Sequence, residues 1–102
     1  RSSDLCDPMF KALADGTRRA LFERLIADGE LSVHALTRSA GVSQPMVSRH
    51  LGKLRRAGLV TARKAGRETY YTARSKGLAP VVQWMARYGA LWSQRFNALE
   101  EL

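Results

Sequence analysis

Apolar residues recur along this chain first at helical spacing, then in alternating runs, then at helical spacing again. Leu5, Cys6, Met9, Phe10 and Leu13 predict an opening helix that breaks at Asp15-Gly16-Thr17. Asp15 is placed to cap a second helix, whose Leu21, Phe22, Leu25 and Ile26 share one face and which stops at Asp28-Gly29. Glu30-Leu31 is either a very short strand or a link. Ser32 then caps a short helix through Val33, Leu36 and Thr37 that ends near Ala40-Gly41. Ser43 caps the next one, with Pro45 in its first turn, where a missing N–H costs little. The tight link Ala40-Gly41-Val42-Ser43 between those helices has helix-turn-helix spacing.

After Gly58 the pattern alternates. Val60–Lys64 and Thr69–Thr72 are β-branched and aromatic runs around Gly66, read as an antiparallel hairpin with its tip near Ala65-Gly66-Arg67. Pro80 opens a last, long helix carrying Val81, Trp84, Met85, Tyr88, Leu91, Trp92, Phe96 and Leu99. The predicted fold is mainly α with a small β-hairpin, in the order α-α-α-α-β-β-α of a winged helix-turn-helix. Residues 1–102 are taken as one DNA-binding domain, which is the length of a typical domain.

A helical wheel on the second helix of the pair turns Val47, Leu51 and Leu54 inward. Pro45, Met46, Arg49, Gly52, Lys53 and Arg56 then face outward, with Ser48 on the flank and Gln44 at the N-terminal end. Set end-on in a major groove, this helix presents Gln44, Met46, Ser48 and Arg49 to base edges, while Lys53 and Arg56 lie further along and suit phosphate. Arg63, Lys64 and Arg67 sit on the hairpin. Two uses fit them equally: reaching into a narrow minor groove, or guarding a sheet edge from aggregation.

Charge sharpens this picture. Net charge is +8, which points to an anionic partner, and its distribution is uneven. From Leu31 to Arg67 there is no Asp or Glu, while Arg38, Arg49, Lys53, Arg55, Arg56, Arg63, Lys64 and Arg67 all fall there. No run of apolar residues is long enough to span a bilayer, and the first residues lack the apolar core of a secretory signal. The single cysteine, Cys6, excludes an intrachain disulfide and fits a reducing compartment, so a cytoplasmic location is expected. No nucleophile–base pair, phosphate-binding glycine loop or paired carboxylates occur at useful spacing, which argues against an enzyme. The last helix carries more aromatic surface than a domain this small needs for its own core, which favours a partner subunit over a membrane surface.

Two segments, Phe10–Arg19 (FKALADGTRR) and Ser43–Leu51 (SQPMVSRHL), resemble the ArsR-type winged-helix repressors, with Gly16 at the usual proline position. The similarity runs from about Phe10 to Leu102. It implies a homodimer built from the first and last helices, with Met9, Phe10 and Leu13 joining Val81, Trp84, Met85, Tyr88, Leu91, Trp92 and Phe96, and repression through an inverted repeat in double-stranded DNA. The implied DNA contacts are Gln44, Met46, Ser48, Arg49 and His50, with the wing near Arg67. The wheel agrees for most of these but turns His50 toward the inward flank. With the flanking positions included, the expected DNA surface is Ser43, Gln44, Pro45, Met46, Ser48, Arg49, His50, Lys53, Arg56, Arg63, Lys64 and Arg67. Metal-sensing members carry ELCVCDL where this chain reads Glu30–Leu36 (ELSVHAL), so both thiols and the Asp are missing. No cofactor, metal or membrane partner is expected. The alternatives are a metal-responsive repressor of the same fold and a winged-helix protein-interaction module without DNA binding.

Overall fold

Three side-chain caps start the helices where the sequence places them. The computed structural model describes residues 2–100, and the side chains of residues 2–5, Leu5 among them, and of Ser75 lie outside that description. Helix α1 spans Ser2–Ala14 and α2 Gly16–Asp28. Asp15 Oδ1 accepts from the Arg18 N–H at 2.9 Å and caps α2. Ser32 Oγ accepts from the Ala35 N–H at 3.0 Å and caps α3, Val33–Arg38. Ser43 Oγ accepts from the Met46 N–H at 3.4 Å and caps α4, Gln44–Arg56. Each hydroxyl or carboxylate satisfies an N–H that the helix itself leaves unpaired. The turn between α3 and α4 holds Gly41 at φ 73°, a left-handed conformation that suits glycine.

Helix α4 ends in a Schellman motif. The Gly58 N–H bonds to the Arg55 carbonyl at 2.9 Å and the Leu59 N–H to the Leu54 carbonyl at 3.0 Å, with Gly58 at φ 79°. Leu54 and Leu59, which flank the motif, are both fully buried. The chain then runs directly into β2, Val60–Ala65, and back along β3, Glu68–Ala73. Ala65 pairs with Glu68, so the hairpin loop is Gly66-Arg67. Only Gly66 has positive φ, 62°, which is the type II′ pattern that matches strand twist.

Two elements go beyond the predicted order. Leu31–Ser32 is a strand, β1, not a link; it pairs antiparallel with β3 (Leu31 with Tyr71) and gives a three-stranded sheet ordered β1-β3-β2. A 3₁₀ turn over Ser75–Leu78 precedes α5, Ala79–Glu100, which starts one residue ahead of Pro80. Leu25, Leu36, Val47, Leu51, Leu54, Leu59 and Val60 form the centre of the core, where α2, α3, α4 and the sheet meet. This helix order with a hairpin wing is the winged helix-turn-helix arrangement.

Helix α5 leaves the body. None of its residues is buried, and the radius of gyration is 16.7 Å where about 13 Å is usual for a chain of this length. Its first half packs on α1: Cys6 Sγ donates to the Pro80 carbonyl at 3.2 Å, and Trp84 meets Phe10 edge-on at 6.0 Å. Every residue of its second half, 89–100, is exposed. Among the described residues no helix is long and apolar enough to cross a membrane.

Candidate nucleic-acid interface

The buried stripe of α4 determines what the helix offers to solvent. Val47, His50, Leu51 and Leu54 are buried at i, i+3, i+4 and i+7, a single core-facing strip. Ser43, Gln44, Pro45, Ser48, Arg49, Lys53 and Arg56 are exposed on the other side, and Met46 is half-buried at its edge. The outward face therefore carries only neutral or positive groups, and at its N-terminal end, near Ser43 and Gln44, positive dipole charge also gathers.

His50 is the exception. Its side chain is only 7% exposed, so it lies with the core strip and not on the open face. The wheel turns it toward the same flank, while the resemblance implies a DNA contact there; in this conformation the ring packs with the core strip. Its Nδ1 is buried without a hydrogen-bond partner, and the ring is close enough to Asp15 to act on its charge. The Asp15 carboxyl is held below the usual carboxylate range mainly by the Arg18 backbone N–H it accepts from, with His50 a smaller contribution.

The wing divides its cations by role. Arg63 lies opposite Tyr70 in the hairpin and its guanidinium sits 4.9 Å from that ring's centre. Its Nε and Nη2 also form a two-pronged bond to Glu30, at 3.1 and 2.7 Å, and Thr72 Oγ1 donates to the same carboxylate at 3.4 Å. Arg63, expected at the DNA, is thus committed to tying the wing to the residue before β1. Lys64 and Arg67 are exposed.

The Arg63 hydrogen bond keeps the Glu30 carboxyl below the usual glutamate range, and Thr72 adds to this. A depressed acid contributes stability above its unfolded pKa and loses it as pH falls through the folded one. Amide resonances of Tyr70 and Thr72 should therefore hold steady from neutral pH down to the usual glutamate range and shift only below it. In Glu30→Gln they should show no such acid transition, and an identical titration in that variant would refute the tie.

Sequence reasoning passed over Arg18 and Arg19. Arg18 Nε donates to the Ala12 carbonyl at 2.5 Å and its Nη2 to Lys11 at 3.3 Å, while Arg19 Nη1 donates to Leu13 at 2.8 Å. The pair satisfies the last carbonyls of α1 from the first turn of α2. Their position just beyond a helix end was the available signal.

On the expected dimer surface, Met9 is 8% exposed and packs within the chain's own core. Leu13 and Val81 are partly buried against that core. Trp84 lies between Phe10 and Tyr88, 5.3 Å from the latter. Phe10, Met85, Tyr88, Leu91, Trp92 and Phe96 remain open, with Trp92 58% and Phe96 59% exposed and stacked on each other at 6.1 Å.

At the entrance to the helix-turn-helix, the Ser32 hydroxyl is engaged in capping and His34 is exposed, and among the described residues no three His, Cys, Asp or Glu side chains gather into a metal-holding group. Cys6 is fully buried against Pro80. At this entrance the chain offers one imidazole and no thiol of its own.

A helix-turn-helix domain model matches residues 13–63. An HTH-type transcriptional regulator of Mycobacterium tuberculosis is 42% identical over 96 residues, covering 94% of this chain and 86% of the relative. An ArsR-like transcriptional regulator from Rhodococcus has the same fold at TM-score 0.76 with 30% identity, over 97% of this chain and 92% of that one. A homodimeric winged helix-turn-helix DNA-binding domain from Mycobacterium bovis, described as a possible ArsR-family regulator, aligns at TM-score 0.67 with 33% identity, over 83% and 81% of the two chains.

Proposed function

The chain belongs to the ArsR-type family of winged helix-turn-helix transcriptional regulators, and from that premise we propose that it is a homodimeric repressor of an inverted-repeat operator. It is a DNA-binding regulator and not an enzyme. One observation carries the finer reading: α4 is clamped by a four-residue buried strip that leaves an acid-free face turned outward. In this reading the 102 residues act as one DNA-binding domain in the cytoplasm, dimerised through its terminal helices. Gln44, Met46, Ser48 and Arg49 reach base edges, with Ser43 and Pro45 fixing the helix entry. Lys53 and Arg56 meet phosphate, Lys64 and Arg67 the wing side of the duplex, and Arg63 holds the wing in place.

The dimer is supported by the uncovered aromatic stripe of α5, and by the homodimeric state of the Mycobacterium bovis neighbour. Two-fold symmetry would place the two α4 helices on half-sites about one helical turn apart. The test is a pair of substitutions on a site selected from random DNA. Arg49→Ala should cost about 1–3 kcal/mol there and relax the preference at one base pair. Lys53→Ala should instead weaken all duplexes alike and flatten the salt dependence. Equal effects of the two substitutions on every sequence would overturn the assignment.

A further inference from the structure

Between α1 and the last turn of α4 lies a groove of about 360 Å³ lined by Pro8, Lys11 and Ala12 on one side and Lys53, Arg56 and Ala57 on the other, with Arg18 at its end. Four cationic side chains from three helices converge on it, and among the described residues no acidic side chain lines it. Asp7 and Asp15, the acidic residues nearest in sequence, are outside the lining, and Asp15 is occupied in capping α2. Among the described residues, Lys11, Lys53 and Arg56 have no ion-pair partner, while the Arg24 and Arg63 pairs show that this chain does pair cations elsewhere.

Like charges gathered without a counter-charge repel one another, so the groove is destabilising when empty and favourable when an anion enters it. It is also partly prearranged. Arg18 is pinned by its bonds to the Ala12 and Lys11 carbonyls, which leaves donors of its guanidinium free at little further cost in side-chain entropy. Arg56 is folded back along α4, its Nη1 lying 3.5 Å from where a Cβ on Gly52 would be. A compact tetrahedral oxyanion suits such a fork of arginine and lysine donors.

We infer that this groove is a phosphate-binding site to which α1, through Lys11, contributes. One source of phosphate is the DNA backbone, and here the inference rests on the DNA-binding reading above. Lys53 and Arg56 lie about 6 and 10 Å along the helix axis from Arg49, by the rise of an α-helix. With Arg49 in a major groove about 12 Å wide, that distance reaches its phosphate rim. The other source is a free phosphorylated small molecule, which would then compete with the duplex for the same cations.

The full chain is tested as wild type, Lys11→Gln and Lys11→Arg, in two arms. In the first, a duplex of unrelated sequence is titrated across a salt series. Lys11→Gln should lower affinity about three- to tenfold at low salt and reduce the slope of log K against log salt by about 0.9, with Lys11→Arg restoring both. In the second, inorganic pyrophosphate is added without DNA and amide shifts of Lys11 and Arg18 are followed. Saturable shifts abolished by Lys11→Gln identify free phosphate as an occupant; a changed salt slope without them identifies the DNA backbone alone. An unchanged slope together with no saturable shift overturns the site. Arg49→Ala separates the two readings: if it impairs selected-site binding while Lys11→Gln changes nothing, the groove is refuted and DNA recognition stands. If the wild type retains no duplex at all, DNA recognition falls and pyrophosphate alone decides the groove.

Discussion

Alanine at Gly77 is expected to lower the unfolding midpoint by roughly 5–20 °C, the effect of about 1–3 kcal/mol of overpacking in a domain of this size. The reason is backbone against backbone. A Cβ on Gly77 would fall 2.4 Å from the Gly58 carbonyl oxygen and 3.1 Å from Leu59 Cα. No rotamer relieves that contact, because the atoms it meets belong to the Schellman turn ending α4. The Gly58 carbonyl is held on its other side by Arg74 Nη1 at 3.3 Å, and the Arg74 N–H bonds to the Leu59 carbonyl at 2.8 Å. The end of α4 and the 3₁₀ turn before α5 must therefore part. This contact is also where the second helix of the helix-turn-helix meets the element leading into the projecting helix, so the variant should lose operator affinity as well as stability. Thermal unfolding followed by circular dichroism is the measurement; a midpoint within a degree of wild type would refute the contact.

What the sequence disclosed and what it hid follow from how far apart the interacting residues lie. Caps at Asp15, Ser32 and Ser43 act over three residues, and the α4 strip over seven, so both were legible from local spacing. At Glu30-Leu31 local spacing leaves strand and link both open, since Leu31 and Ser32 become a strand only by pairing with Tyr71 and Tyr70. Arg63 reads as a free wing cation until Glu30, 33 positions earlier, closes on it. Met9 and Phe10 are neighbours on an apolar helix, and periodicity alone cannot tell which faces the protein's own core and which is left for a partner. At His50 the wheel and the resemblance part: the wheel turns it toward the inward flank, and the fold buries the ring. The phosphate groove needed three helices brought together, so no reading of α4 alone would have included Lys11 or Arg18.

The same division of α5 into a packed half and an open half sets the strongest functional expectation. Removing the chain from Pro80 onward would strip Val81 and Trp84 from α1 and expose Cys6, so its failure would reveal little about association. Trp92→Asp combined with Phe96→Asp is the sharper change, because both rings lie in the second half, every residue of which is exposed, and are themselves more than half exposed. Burying each such side chain in an interface contributes about 1.5–3 kcal/mol, and a symmetric dimer contains every substitution twice. Placing four carboxylates in that apolar seam adds a desolvation cost on top of the lost contacts. The double variant should therefore sediment as a folded monomer at micromolar concentration, and the wild type as a dimer. Its binding to a two-half-site operator should fall by about 10²–10⁴-fold, since the second half-site no longer engages as a linked event. Binding to a single half-site should stay close to the wild-type protomer's, because α4 and the wing are untouched. A double variant that still sediments as a dimer, or that binds the full operator as the wild type does, would show that the aromatic stripe of α5 serves something other than self-association.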